Sequence, residues 1–143
     1  KNNAVFIGNT DGVLFALDAS SGKLLWKFNA GTSIYATASF TNDRTLIGTT
    51  GGKLHALHTS DGSVVWSTDF NSVINSSAVI SGEIAYVGTL KKELIAVKIA
   101  DGSVIWKQTL QGRVKTSPAI AYGKVFVATD DKLVLAFKSI GAK

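Results

Sequence analysis

The chain has 143 residues, long enough for one domain with a core of its own. An apolar fraction of 45%, with 14 Gly and 1 Pro, excludes a disordered or collagen-like polymer. The net charge of +5 is dispersed: residues 1 to 60 carry five Lys/Arg against three Asp, the remainder ten against seven Asp/Glu, and only Lys91-Lys92 are adjacent, which argues against a nucleic-acid footprint.

There is no Cys, hence no disulfide, thiolate nucleophile or Cys-based zinc site. No run approaches the roughly 18 apolar residues of a membrane helix, and Lys1-Asn2-Asn3 does not begin a signal peptide. The chain also lacks Met, so it is expected to be a processed or excised piece of a longer product.

In chain order, Ala4 to Asn9, Val13 to Asp18 and Leu24 to Phe28 are short, largely apolar runs separated by Asp11-Gly12 and Ser21-Gly22, which predicts three strands joined by tight turns. Two further sets follow, with inner strands expected over Tyr35 to Phe40 and Asn75 to Ile80. The last set comprises Thr116 to Ala121, Val125 to Thr129 and Leu133 to Phe137. The runs Val13 to Leu17 and Ile84 to Val87 are apolar on both faces, so these strands are expected to be covered on both sides.

A period of forty residues organises these runs. Trp26, Trp66 and Trp106 obey it, as do Gly22, Gly62 and Gly102, and Ala16, Ala56 and Ala96. Four short antiparallel strands per period, with covered middle strands, predict an all-β fold of propeller blades rather than a two-layer sandwich. The expected division of the single domain, residues 1–143, is a partial blade 1–30, blades 31–70 and 71–110, and a partial blade 111–143. A fourth Trp would fall at position 146, so about three and a half blades are expected, fewer than the roughly four that close a ring.

The phrase Ala16-Leu-Asp18-Ala-Ser-Ser21-Gly22-Lys-Leu-Leu-Trp26 and its copies Ala56 to Trp66 and Ala96 to Trp106 resemble the tryptophan-docking motif of the quinoprotein-like (PQQ-repeat) propellers. The WD40 signature does not fit, because each Trp is followed by Lys or Ser. The motif Asp survives only as Asp18, becoming His58, Lys98 and Lys138, while the motif Thr reads Ser21, Asp61 and Asp101. The resemblance implies that Trp26, Trp66 and Trp106, with the small Ala16, Ala56, Ala96, Gly22, Gly62 and Gly102 beside them, dock one blade on the next. It also implies a binding or scaffolding module, as in the outer-membrane assembly lipoprotein and the kinase-linked sensor domains that it resembles. Protein partners are expected, either remaining blades of a parent propeller or a second copy in a homodimer. An extracytoplasmic location rests on the resemblance alone.

Quinoprotein dehydrogenases share this resemblance, and a fragment of one is the alternative. No catalytic, cofactor-binding or metal residue is assigned. Glu83 and Glu93 are expected to be solvated turn residues. His55 and His58, three apart on a strand, point to opposite faces and are expected at a surface or edge. Asp130-Asp131 suits a turn better than a calcium loop. Asn75-Ser-Ser77 matches a glycosylation acceptor on an expected inner strand, and Gly51-Gly52 a hairpin turn.

Overall fold

The computed structural model describes residues 3–140, and these form strands and turns only. Four antiparallel sheets follow one another along the chain. The first contains β1 (Ala4–Gly8), β2 (Val13–Asp18) and β3 (Leu24–Asn29). The second runs β4 (Ser39–Phe40), β5 (Arg44–Gly48), β6 (Lys53–His58), β7 (Val64–Asp69), and the third β8 (Val79–Ser81), β9 (Ile84–Thr89), β10 (Glu93–Lys98), β11 (Val104–Thr109). The last comprises β12 (Ala119–Ala121), β13 (Lys124–Ala128) and β14 (Val134–Lys138). Within each sheet every strand pairs with its sequence neighbour, so each is a meander, and the fold is a partial β-propeller.

The core lies between sheets. Leu46, Leu54 and Ala56 of the second sheet cluster with Ala85, Val87 and Ile95 of the third. The alternate residues of the third sheet, Tyr86, Leu94 and Ala96, meet Val125 and Val127 of the fourth. A middle strand thus buries both of its faces, which is why β9 is apolar without alternation and buried throughout. Strand β2 belongs to an end sheet, and only Leu14 and Ala16 on its covered face are fully buried.

The inner strands are shorter than their sequence suggests. Pairing covers only Ser39–Phe40, Val79–Ser81 and Ala119–Ala121, which corrects the longer strands expected from Tyr35, Asn75 and Thr116. The segments before them serve another purpose: Ile34, Ile74 and Val114 each pack on a glycine of the preceding sheet. A Cβ added to Gly8, Gly48 or Gly88 would stand 2.3, 2.3 or 2.1 Å from those side chains. Their amides donate to the carbonyls of Asn9, Thr49 and Thr89, so these segments tie neighbouring sheets together instead of extending a ladder.

Candidate functional site

The tryptophans sit where the outer strand has a bulge. Ala16 pairs with Trp26 but Leu17 with Leu24, and the same register shift recurs at Ala56/Leu57 and Ala96/Val97. A bulge re-aims the side chain beside it. The indole of Trp26 leans onto the second sheet, where its Nε1–H donates to the Thr59 carbonyl at 3.2 Å. Trp66 does the same to the Ile99 carbonyl at 2.8 Å. Both indoles so satisfy the one polar group that burial would otherwise leave unpaired.

Both of these indoles rest on a glycine of the following sheet. A Cβ added to Gly62 would lie 2.5 Å from Trp26 Cε3, and one added to Gly102 would lie 2.5 Å from Trp66 Cε3. Both glycines also turn the chain at positive φ, 74° and 72°. Ala16, Ala56 and Ala96 are completely buried opposite their tryptophans. Trp106 differs: its ring meets Phe137 at 5.5 Å, and its Nε1–H has no hydrogen-bond partner among the described residues.

The turn before each tryptophan carries a carboxylate, although its position moves. Asp18 accepts from the hydroxyls of Ser20 and Ser21 and from both backbone amides, which holds its carboxyl near a pKa of about 2. In the next two repeats Asp61 and Asp101 accept from the Ser63 and Ser103 amides two residues on, and these serines hold both carboxyls below their ordinary range. The substitutions at the motif Asp therefore preserve an Asx-type turn from a different residue.

His55 is the main departure from the sequence reading. It is not at a surface or edge: it is 6% exposed, in the joint between the first two sheets, with Phe28 edge-on at 5.1 Å. Its Nδ1 lies 2.7 Å from Ser67 Oγ and its Nε2 has no hydrogen-bond partner among the described residues. Burial, and then the charge of Lys53, push it down to about 4. His58 is exposed, 3.4 Å from Arg44. Glu93 is likewise no turn residue, since it opens β10 and pairs across the strands with Lys107 at 2.8 Å.

Asp130 accepts from Arg113 at 2.7 Å and lies 3.2 Å from Lys115 Nζ, while Asp131 accepts from the Thr129 hydroxyl. Asn75 precedes β8 rather than lying on it. An open cleft of about 500 Å³ separates the turn Thr41 to Arg44 from Glu83 and Ala100, and an ion pair joins Arg44 to Asp43 at 2.5 Å in its wall. No three His, Cys, Asp or Glu side chains converge among the described residues.

The end sheets leave apolar faces outward. Val5 and Ile7 on β1 are 44% and 52% exposed, and Val134 on β14 is 73% exposed. Their counterparts one or two periods along, Ala85, Val87 and Leu94, are fully buried.

The profile of the family described as outer membrane protein assembly factor BamB matches residues 10–79 and again 73–142. Among solved structures, BamB from Moraxella catarrhalis superposes with a TM-score of 0.85 at 20% identity, over 95% of this chain and 43% of that one. The computationally designed Ika4 protein gives 0.88 at 20% identity, covering 97% and 87%. The quinohemoprotein alcohol dehydrogenase ADHIIG from Pseudomonas putida HK5 gives 0.84 at 13% identity, over 97% of this chain and 31% of the enzyme. These identities establish a shared fold. No curated protein matches the sequence.

Proposed function

The chain belongs to the family described as outer membrane protein assembly factor BamB, and from that premise we propose that it is a non-catalytic propeller module that binds or scaffolds other proteins. In this reading Trp26, Trp66 and Trp106, seated against small residues such as Gly62 and Gly102, dock the blades into one platform. Its partners are protein surfaces: the remaining blades of a larger propeller or a second copy. One observation carries the reading, namely that end-face positions whose repeats are fully buried inside the stack, Val5, Ile7 and Val134, stand in solvent. Patches of this kind mark protein contacts. An extracytoplasmic location is supported by the family description alone.

The likeness to the quinohemoprotein alcohol dehydrogenase supplies a second reading, a dehydrogenase segment. The donors do not fit it: the described carboxylates lie apart, and Asp18, Asp61, Asp101 and Asp130 are engaged in turns or ion pairs. A calcium-held quinone needs several converging oxygen ligands. Dye reduction by the purified chain with added pyrroloquinoline quinone, calcium and alcohol or sugar tests the choice. No reduction above the protein-free blank is expected, and turnover would overturn the non-catalytic assignment.

A further inference from the structure

One rim of the joint between the second and third sheets departs from its repeats. Arg44 opens β5, and across the open cleft stands Glu83, in the turn ahead of β9. One period on, the same two positions are Ile84 and Gly123, and one period back they are Ala4 and Asp43. Ile84 is buried and packs into the core of its joint, whereas Arg44 borders a cleft of about 500 Å³. Of these three rims, this one alone sets a cation against a carboxylate.

Neither charged group is used up by the fold. The Nη1 of Arg44 is taken by the Asp43 carboxylate at 2.5 Å and lies 3.4 Å from His58 Nδ1. Its Nε is buried and has no hydrogen-bond partner among the described residues. A buried N–H without an acceptor is costly, so the geometry calls for an oxygen at that point. Glu83 is exposed, and its carboxylate enters no ion pair or hydrogen bond among the described residues. Solvent can satisfy either group alone. What sets this rim apart is that a free donor and a free carboxylate face each other in one cleft, with Ile99 and Ala100 also lining it.

We propose that this cleft binds the free N-terminus of a polypeptide partner. The α-ammonium group pairs with Glu83, the first carbonyl oxygen accepts from Arg44 Nε, and the first side chain lies against Ile99 and Ala100. Charge decides the class of ligand. One guanidinium stands beside two carboxylates, Asp43 and Glu83, so a cationic head group complements the cleft and a second carboxylate does not. A lysine side chain would satisfy Glu83, but it carries no carbonyl next to its ammonium for Arg44 Nε. The volume falls within the range of about 300–1,000 Å³ common to pockets for small groups.

The inference rests on the protein-binding reading and adds the group that is recognised. The probe is alanyl-alanine amide, whose ammonium and first carbonyl are those of a peptide N-terminus. It is titrated into the 143-residue chain near neutral pH, where an α-amino group is largely protonated. Nitrogen-15 NMR follows the Arg44 Nε–H and the Ala100 amide, and both signals are expected to shift and saturate together. Glu83→Gln, at an exposed site, is expected to weaken binding about tenfold or more. Arg44→Ile, which copies the residue one period on at Ile84, is expected to abolish it, and neither substitution should lower the urea midpoint. Acetylating the peptide's amine removes the cation and should remove saturation, and free alanine, with its added carboxylate, should bind more weakly than the amide. No saturation with alanyl-alanine amide, equal binding of the acetylated peptide, or binding unchanged in Glu83→Gln overturns the site. Alanine binding as tightly as the amide overturns the peptide assignment. Each of those results leaves protein binding elsewhere on the chain standing, whereas quinone-dependent turnover would remove the module reading itself.

Discussion

Replacing Gly62 with alanine separates tryptophan docking from turn geometry, because Gly22 provides an internal control. The new methyl would stand 2.5 Å from Trp26 Cε3 and 2.8 Å from Cδ2, where carbon atoms normally keep well over 3 Å apart. The ring must move by about 1 Å, at a typical overpacking cost of about 1–3 kcal/mol. That movement also breaks the 3.2 Å bond from Trp26 Nε1 to the Thr59 carbonyl, worth about 1 kcal/mol. Positive φ adds about 1–2 kcal/mol for any residue with a Cβ. The sum is about 3–6 kcal/mol for Gly62→Ala. Gly22→Ala bears only the backbone part, about 1–2 kcal/mol, since its Cβ meets nothing within 4 Å. Equilibrium urea unfolding followed by tryptophan fluorescence measures both. Equal destabilisation by the two substitutions would refute docking on Gly62, because only strain at the turn would then be felt.

Three further outcomes follow from the joints. His55 is neutral in the fold, with its pKa pushed from 6.5 to about 4. The unfolded chain takes up the proton first, so stability is full above about pH 6.5 and falls as the pH drops toward 4, by no more than about 3 kcal/mol. His55→Ile, which copies the residue one period on at Ile95, should remove that slope in urea midpoints measured from pH 7 to 4; an unchanged slope would contradict the buried imidazole. Tyr86→Phe removes a buried hydroxyl that accepts from the Ile140 amide at 2.6 Å and donates to its carbonyl, and should lower stability by about 1–2 kcal/mol, with faster amide exchange at Ile140. Trp66→Ala loses the bond to Ile99 together with the ring's packing and should cost about 3–5 kcal/mol, whereas Lys27→Ala, at an exposed site on β3, should leave the stability within about 0.5 kcal/mol of the parent.

The forty-residue period was legible because the proposed docking reuses the same residues, an indole with a glycine beneath it and an alanine opposite, as at Trp26 on Gly62 and Trp66 on Gly102. Strands such as β9 were legible from apolar residues on both faces. Three features were not. The inner strands looked long because residues 35–38, 75–78 and 116–118 were read into the ladder, whereas pairing begins at Ser39, Val79 and Ala119, and Ile34, Ile74 and Val114 just ahead of them fill glycine gaps in the preceding sheet. His55 looked like a surface residue because an imidazole is polar, although β6 buries both of its faces; its counterparts Phe15, Ile95 and Leu135, all apolar, held that signal. The turn carboxylate looked lost at His58 and Lys98 because it had moved three residues on, to Asp61 and Asp101.

Docking of one blade on the next through its tryptophan underlies the platform that the proposed protein binding requires, and exchange of the three indole N–H groups in the unmodified chain tests it most directly. Trp26 and Trp66, bonded to Thr59 and Ile99, should exchange slowly, and Trp106, whose N–H has no partner among the described residues, should exchange quickly. Three indoles exchanging at one fast rate would contradict the account, because the blades would then not be held to one another by these side chains.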